Sequence, residues 1–311
     1  MCKDGRPRQN AINMFITHQV QQLFTRQVTT WPLAATNYAA LSHVKTKKLS
    51  INGFDFIVQF NPTRITSSAA QIDSQTIRER PCFLCSHHLP VEQEKLPYTT
   101  ESGNNYLILC NPYPIFPQHL TIVDLCHTPQ LITGRIEDML ELADQLPDFV
   151  LFYNGPQSGA SAPDHFHFQA GNKGFLPLQR EVERGARFDR YPAPFSLFTS
   201  DDPMSVSNSF SLFFNDLQEE ASCQPEPKIN LLCWKKETTY HLVLFPRKLH
   251  RPAQFFAQGD ARILLSPGSV DLAGVLITPL EKDFIKMNEA DVLDIFAQVS
   301  LPLSLFRHGR I

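Results

Sequence analysis

The chain has 311 residues, 42% of them hydrophobic and 19% charged, with 28 Lys+Arg against 31 Asp+Glu. That apolar fraction excludes a disordered chain, and the near balance of charge leaves no footprint for duplex nucleic acid or a polybasic membrane anchor. Seven cysteines, five of them single (Cys2, Cys110, Cys126, Cys223, Cys233), do not make a secreted disulfide framework. No apolar run approaches a membrane span, and the basic start MCKDGRPRQ is followed by no apolar signal region, so a soluble protein of the reducing cytoplasm is expected.

In chain order, Ile12, Phe15, Ile16, Val20 and Phe24 fall at helical spacing, which predicts a helix over residues 9–26. In LSINGFDFIVQF, Asn52-Gly53 sits between alternating apolar runs and predicts a hairpin, because both turn residues tolerate positive φ. A Ser/Thr/Gln-rich connection leads to RPCFLC, then a strand (YLILC), a Pro-rich turn and a second strand (HLTIVDL). A helix is predicted over 134–146, capped by Thr133 and stopped by Pro147. The strand FVLFYN enters the loop GPQSGASAPD, which delivers HFHFQ. A helix within 203–220 and the linker CQPEP at 223–227 follow, then the strands NLLCW and YHLVLFP around a turn at KKETT.

LTIVDLCH, ending at His127, and LVLFPRKLH, ending at His250, share one pattern: apolar strand, short polar step, histidine. This suggests a duplicated α+β unit, roughly 45–180 and 228–305, whose halves share one sheet or an extended interface. The expected organisation is a helical segment at 1–44, a catalytic half at 45–222 and a second half at 223–311. Chance likeness of two apolar strands is the alternative.

In an extended strand alternate side chains share a face, so His165, His167 and Gln169 line one side while Phe166 and Phe168 enter the core. Upstream, Cys82-x-x-Cys85 lies between Pro81 and Ser-His-His-Leu-Pro and reads as a turn, not the helix start of a redox pair. A tetrahedral zinc needs four such ligands, two of them from elsewhere. His127 and His165 are the expected pair; His87, His88 and His119 are rivals, and a turn without metal is the alternative.

FVLFYNGPQSGASAPDHFHFQA resembles the active-site strand of the histidine-triad superfamily, in its transferase branch, where Gln takes the place of the hydrolases' third His. That branch includes galactose-1-phosphate uridylyltransferases, diadenosine tetraphosphate phosphorylases and plant GDP-L-galactose phosphorylases. NPYPIFPQHLTIVDLCHTPQ resembles the strand-turn-strand before it, and the resemblance covers about residues 55–180. It implies a HIT-like α+β fold of two pseudo-repeated antiparallel halves with flanking helices, and a structural zinc on Cys82, Cys85, His127 and His165. It also favours a homodimer. Two positions depart: Gln118 replaces the usual glycine before His119, and Phe166 stands where the uridylyltransferases have Pro, which shifts weight away from galactose phosphate as acceptor.

The expected chemistry is attack by neutral His167 on an α-phosphorus, giving a nucleotidyl-histidine that phosphate or a sugar phosphate discharges. Backbone N–H groups of Gly159, Ala160 and Ser161, with the Ser161 hydroxyl, are expected around the phosphate, and Asn154 on phosphate or ribose. Gln169 donates to the phosphate but supplies no acid proton. Arg64 is the expected phosphate cation, with Arg247 and Arg251 as further candidates; Lys173 and Arg180 read as solvated charges and Asp271 as a turn cap. The substrate class is a nucleotide sugar or dinucleoside polyphosphate, with no nucleic acid and no membrane. A histidine-triad hydrolase and a non-catalytic nucleotide-binding protein are the competing readings.

Overall fold

The computed structural model describes residues 9–65, 69, 73–221 and 225–302; Cys2, Cys223 and the first part of the predicted linker lie outside them. Helix α1 (Gln9–Thr30) runs past its predicted end and meets α2 (Pro32–Leu41), which the sequence reading lacked. The break is local chemistry. Pro32 forbids a helical conformation to the residue before it, and Trp31 accordingly sits at φ −99°, ψ 107° with its side chain buried.

Strands β1 (Lys45–Ile51) and β2 (Phe54–Phe60) form the predicted hairpin, with Asn52 at φ 53° and Gly53 at φ 92° in the turn. Next come α3 (Ser74–Glu79), β3 (Leu96–Thr99), β4 (Asn105–Cys110), β5 (His119–Asp124), α4 (Ile136–Gln145), β6 (Phe149–Asn154) and β7 (His167–Asn172). Thr133 does not cap α4: the helix starts after Arg135, and the Thr133 N–H donates instead to Glu226 Oε1 at 2.7 Å. The chain continues through α5 (Pro177–Glu183), β8 (Ser196–Ser200), α6 (Pro203–Ala221), β9 (Ile229–Lys236), β10 (Thr239–Pro246) and α7 (Ala253–Phe256). It closes with α8 (Ser269–Leu272), β11 (Val275–Thr278), α9 (Glu281–Lys286) and α10 (Glu289–Val299).

Eight strands form one antiparallel sheet, ordered β3-β4-β5-β7-β6-β9-β10-β8. The seam between the halves is β6 against β9, with Leu151 opposite Cys233 and Asn154 opposite Asn230. The fold is α+β, as expected. One face of the sheet packs on α1, α4 and α6 through a core holding Phe166, Phe168, Tyr153 and Leu231. The other face lies under a second sheet, β1-β2-β11, through Phe56, Phe152, Trp234 and Phe245. β11 runs parallel to β2, Val275 opposite Ile57, so a strand late in the chain completes the early hairpin. Burial of side chains this large on both faces contributes stability at ~25 cal/mol per Å² of apolar surface.

Candidate active site

β7 lies between β5 and β6, with Gln169 opposite Thr121 on one side and Phe152 on the other. Regular strand begins only at His167, yet the alternation extends upstream. Phe166 and Phe168 are buried in the core with rings 4.9 Å apart, and His165 and His167 turn the opposite way. Where the β6–β7 ladder stops, buried Gln130 takes over. Its amide donates to the carbonyls of Asn154 (3.0 Å) and His167 (2.9 Å), and its oxygen accepts the His167 N–H at 2.7 Å.

His167 is 5% exposed and borders a cavity of about 810 Å³. Its Nδ1 lies 2.9 Å from the His165 carbonyl. A carbonyl only accepts, so the proton sits on Nδ1 and Nε2 keeps its lone pair. Burial pulls this imidazole down to about 4, so it is neutral near pH 7. Gln169 also lines the cavity, its Oε1 3.0 Å from His119 Nε2.

Gly159, Ala160 and Ser161 form another part of the wall. Gly159 has φ +100°, and a Cβ there would meet Gly268 Cα at 3.0 Å, so glycine serves both the turn and the close approach. The Ala160 N–H turns back to the Gly155 carbonyl at 3.4 Å and is less available to a ligand than expected. Asn154 commits its Oδ1 to Asn230 Nδ2 (2.6 Å) and the Ser269 N–H (2.8 Å), so its amide nitrogen is the group left for the cavity.

Of the candidate cations, Arg64 and Arg251 line the cavity. Arg64 is anchored on the Tyr113 carbonyl at 2.8 Å, and burial lowers it to about 10, partly countered by Asp271. Arg251 stacks on Phe255 at 4.1 Å and donates from Nε to Ser266 Oγ at 3.3 Å. Arg247 has a different task. It is 2% exposed and donates to Asn230 Oδ1 and to the carbonyls of Pro267, Val299, Leu249 and His250. Lys173 and Arg180 reach the carbonyls of Lys235 and Gly174, outside the cavity. Asp271 caps α8 by accepting the Gly268 N–H at 2.8 Å, and it also borders the cavity, where burial raises it to about 6.

Beside His167, Cys82, Cys85, His127 and His165 converge, one donor atom of each lying within 4.8 Å of the others. Cys82 Sγ and Cys85 Sγ are each 3.3 Å from an imidazole Nδ1, that of His165 and that of His127 respectively, and the two Nδ1 atoms are 3.3 Å apart. A tetrahedral zinc with its usual bond lengths has ligand–ligand edges of about 3.3–3.8 Å, so this donor set fits. His165 Nε2 donates to the Asp124 carbonyl at 2.8 Å, which leaves Nδ1 as the ligand atom. Burial and the neighbouring Cys82 sulfur push the Cys85 thiol up to about 11, a charge problem that a divalent cation reverses. The rivals separate: His119 bonds Gln169 and the Ile115 N–H, whereas His87 and His88 form a second trio with Cys85.

Gln130 carries no sequence signal, His119 is legible in the sequence only as a rival metal ligand, and the wall that Arg251 and Asp271 share with His250, Ser266 and Val270 emerges only in the fold. The sequence reading also missed Trp31, Leu33 and Phe83, apolar lining on the opposite side of the chain's order. No helix among the described residues is long and apolar enough to cross a membrane.

Residues 23–172 match a family described as a domain of unknown function, DUF4922. Galactose-1-phosphate uridylyltransferase of Lactococcus lactis is 24% identical over 58% of this chain and 43% of its own length. That of Lactiplantibacillus plantarum is 26% identical over 35% of this chain and 25% of its own. The chain therefore spans less than half the length of these relatives. Yeast Ap4A phosphorylase Apa2 in complex with Ap4A shares the fold with a TM-score of 0.63 at 17% identity, covering 93% of this chain and 98% of that one. Its complex with AMP gives a TM-score of 0.62 at 17% identity over 92% and 97%. These comparisons support the likeness to the transferase branch of the histidine-triad superfamily.

Proposed function

We propose that this protein is a nucleotidyltransferase of the phosphorylase type, working through a covalent nucleotidyl-histidine on His167. The observation that carries the reading is the state of that imidazole: Nδ1–H bound to a carbonyl, Nε2 unprotonated, and a cavity of about 810 Å³ in front of it. The volume suits a nucleotide sugar or dinucleoside polyphosphate.

In the first step His167 Nε2 attacks the α-phosphorus. An N–P bond forms as the P–O bond to the leaving sugar phosphate or nucleoside polyphosphate breaks, and the Nδ1 proton stays on the ring, held by the His165 carbonyl. In the second step an oxygen of inorganic phosphate or of a sugar phosphate attacks from the vacated side and releases the imidazole. The 159–161 loop, the Asn154 amide and Arg64 hold the phosphates, while Gln169 donates to a non-bridging oxygen without supplying an acid proton. Cys82, Cys85, His127 and His165 hold a structural zinc, which neutralises the two sulfurs and keeps the His165 carbonyl aimed at His167. The likeness to uridylyltransferases and to Ap4A phosphorylase supports the reaction class.

Intact-protein mass spectrometry after brief exposure to GDP-, UDP- and ADP-sugars and dinucleoside tetraphosphates, without phosphate, tests the proposal. A nucleoside-monophosphate adduct is expected on the wild type, discharged by phosphate and missing in His167→Ala, whose turnover falls about 10⁴-fold or more. No adduct and no phosphate-dependent turnover on any substrate would sink it.

A further inference from the structure

His119 has no task in the mechanism above, yet it is fully buried behind the reacting face, packed against the rings of Phe116 and Phe152. Its two nitrogens are spoken for. The Ile115 N–H lies 3.2 Å from Nδ1, and a backbone N–H only donates, so Nδ1 is the acceptor and the ring proton is on Nε2. Nε2–H therefore donates across the β5–β7 pair to Gln169, whose side-chain oxygen is 3.0 Å away. An amide with its oxygen held there has its –NH₂ on the other side, toward the cavity that Gln169 lines.

We infer that His119 is a positioning residue for phosphoryl transfer: through its Nε2–H it fixes the Gln169 amide so that N–H, not C=O, meets the reacting phosphate. This rests on the nucleotidyl-histidine reading. The reverse orientation would set a lone pair against phosphate oxygens and forfeit one donor to the transition state. Burial, with Arg64 nearby, pulls the His119 imidazole down to about 3, so the neutral tautomer persists across the working pH range. The residue touches no reacting atom and acts only through Gln169.

Two substitutions dissect the bonds. In His119→Gln the amide nitrogen replaces Nε2–H and still reaches Gln169, while the Ile115 N–H loses its acceptor. In His119→Asn the amide oxygen replaces Nδ1 and keeps Ile115 satisfied, but the side chain stops short of Gln169. Adduct formation is timed by rapid quench and intact mass on the full chain, with a substrate that labels the wild type. His119→Asn is expected to slow the chemical step about 100-fold with little change in half-saturating substrate, and His119→Gln to stay within about tenfold of wild type. In a Gln169→Ala background, His119→Asn should cost nothing further. Gln169→Glu leaves His119 in place but offers the phosphate no N–H, so it should lose as much as His119→Asn, and it serves if that variant does not fold. A wild-type rate in His119→Asn or Gln169→Glu, a loss carried wholly by half-saturation, or independent losses that multiply in the double variant would overturn the inference. Absence of any adduct on the wild type would count against the nucleotidyl-histidine instead.

Discussion

His127 and His250 end comparable strand-and-step patterns in the two halves, and their surroundings diverge. His127 turns Nδ1 toward Cys85 Sγ and His165, in a cluster of sulfur and imidazole donors. His250 lies on the cavity wall with Nε2 3.0 Å from Ser266 Oγ, and its carbonyl, with that of Leu249, accepts from Arg247. The same framework is thus fastened in two ways beside one cavity. The first half gathers donors that are self-repelling without a cation. The second closes on a guanidinium whose hydrogens are met by carbonyls and an amide oxygen. The two strands end alike, while the segments after them do different work.

That contrast predicts unequal responses. The largest is expected from Cys82→Ser or from a strong chelator: about one zinc per chain lost, a much lower melting temperature, and activity down about 10- to 100-fold through misaligned His167. Metal analysis paired with thermal unfolding checks this, and a chelator-insensitive, metal-free wild type would erase the distinction between the halves. Arg247→Met is expected to cost about 3 kcal/mol or more in urea unfolding, because it strands buried acceptors at Asn230, Pro267 and Val299. That loss should be the same with and without chelator.

The smallest effect is that of pH, through His119. Its folded value of about 3 lies below the ordinary value of 6.5, so the unfolded chain takes up the proton first. Its contribution is complete above about pH 6.5 and declines as pH falls, by about 2 kcal/mol at pH 5. His250, lowered to about 3, acts in the same direction, whereas Asp271, raised to about 6, acts oppositely. Comparing wild type with His119→Gln isolates the His119 part; parallel stability curves from pH 7.5 to 5 would refute it.

Much of this was legible because it is local. Asn52-Gly53 marks a hairpin by its positive φ values, and the alternation of His165, Phe166, His167, Phe168 and Gln169 separates a polar from a core face without knowledge of neighbours. The knuckle at Cys82 and Cys85 reads as a turn from its prolines. What could not be read depends on register between distant strands. His119 meets Gln169 only because β5 pairs with β7, and Arg247 meets Asn230 only through the close of the second half. The hints for His119 were its place at the start of a strand near the His-x-His-x-Gln strand and the family resemblance of that strand-turn-strand, neither of which pointed to Gln169.

The parallel pairing of β11 with β2 has a consequence for the order in which the molecule is made. Val275 finds Ile57 only after more than two hundred intervening residues have been laid down, a closure that slows assembly. A nascent chain emerging from the ribosome carries His167, the proposed nucleophile, long before Ser266, Val270 and Asp271 exist to wall the cavity. Until then the edge of β2 and the apolar surface meant for the second half stand open to other chains. The cavity is therefore completed late in synthesis, and the growing polypeptide is exposed to aggregation longest along β2.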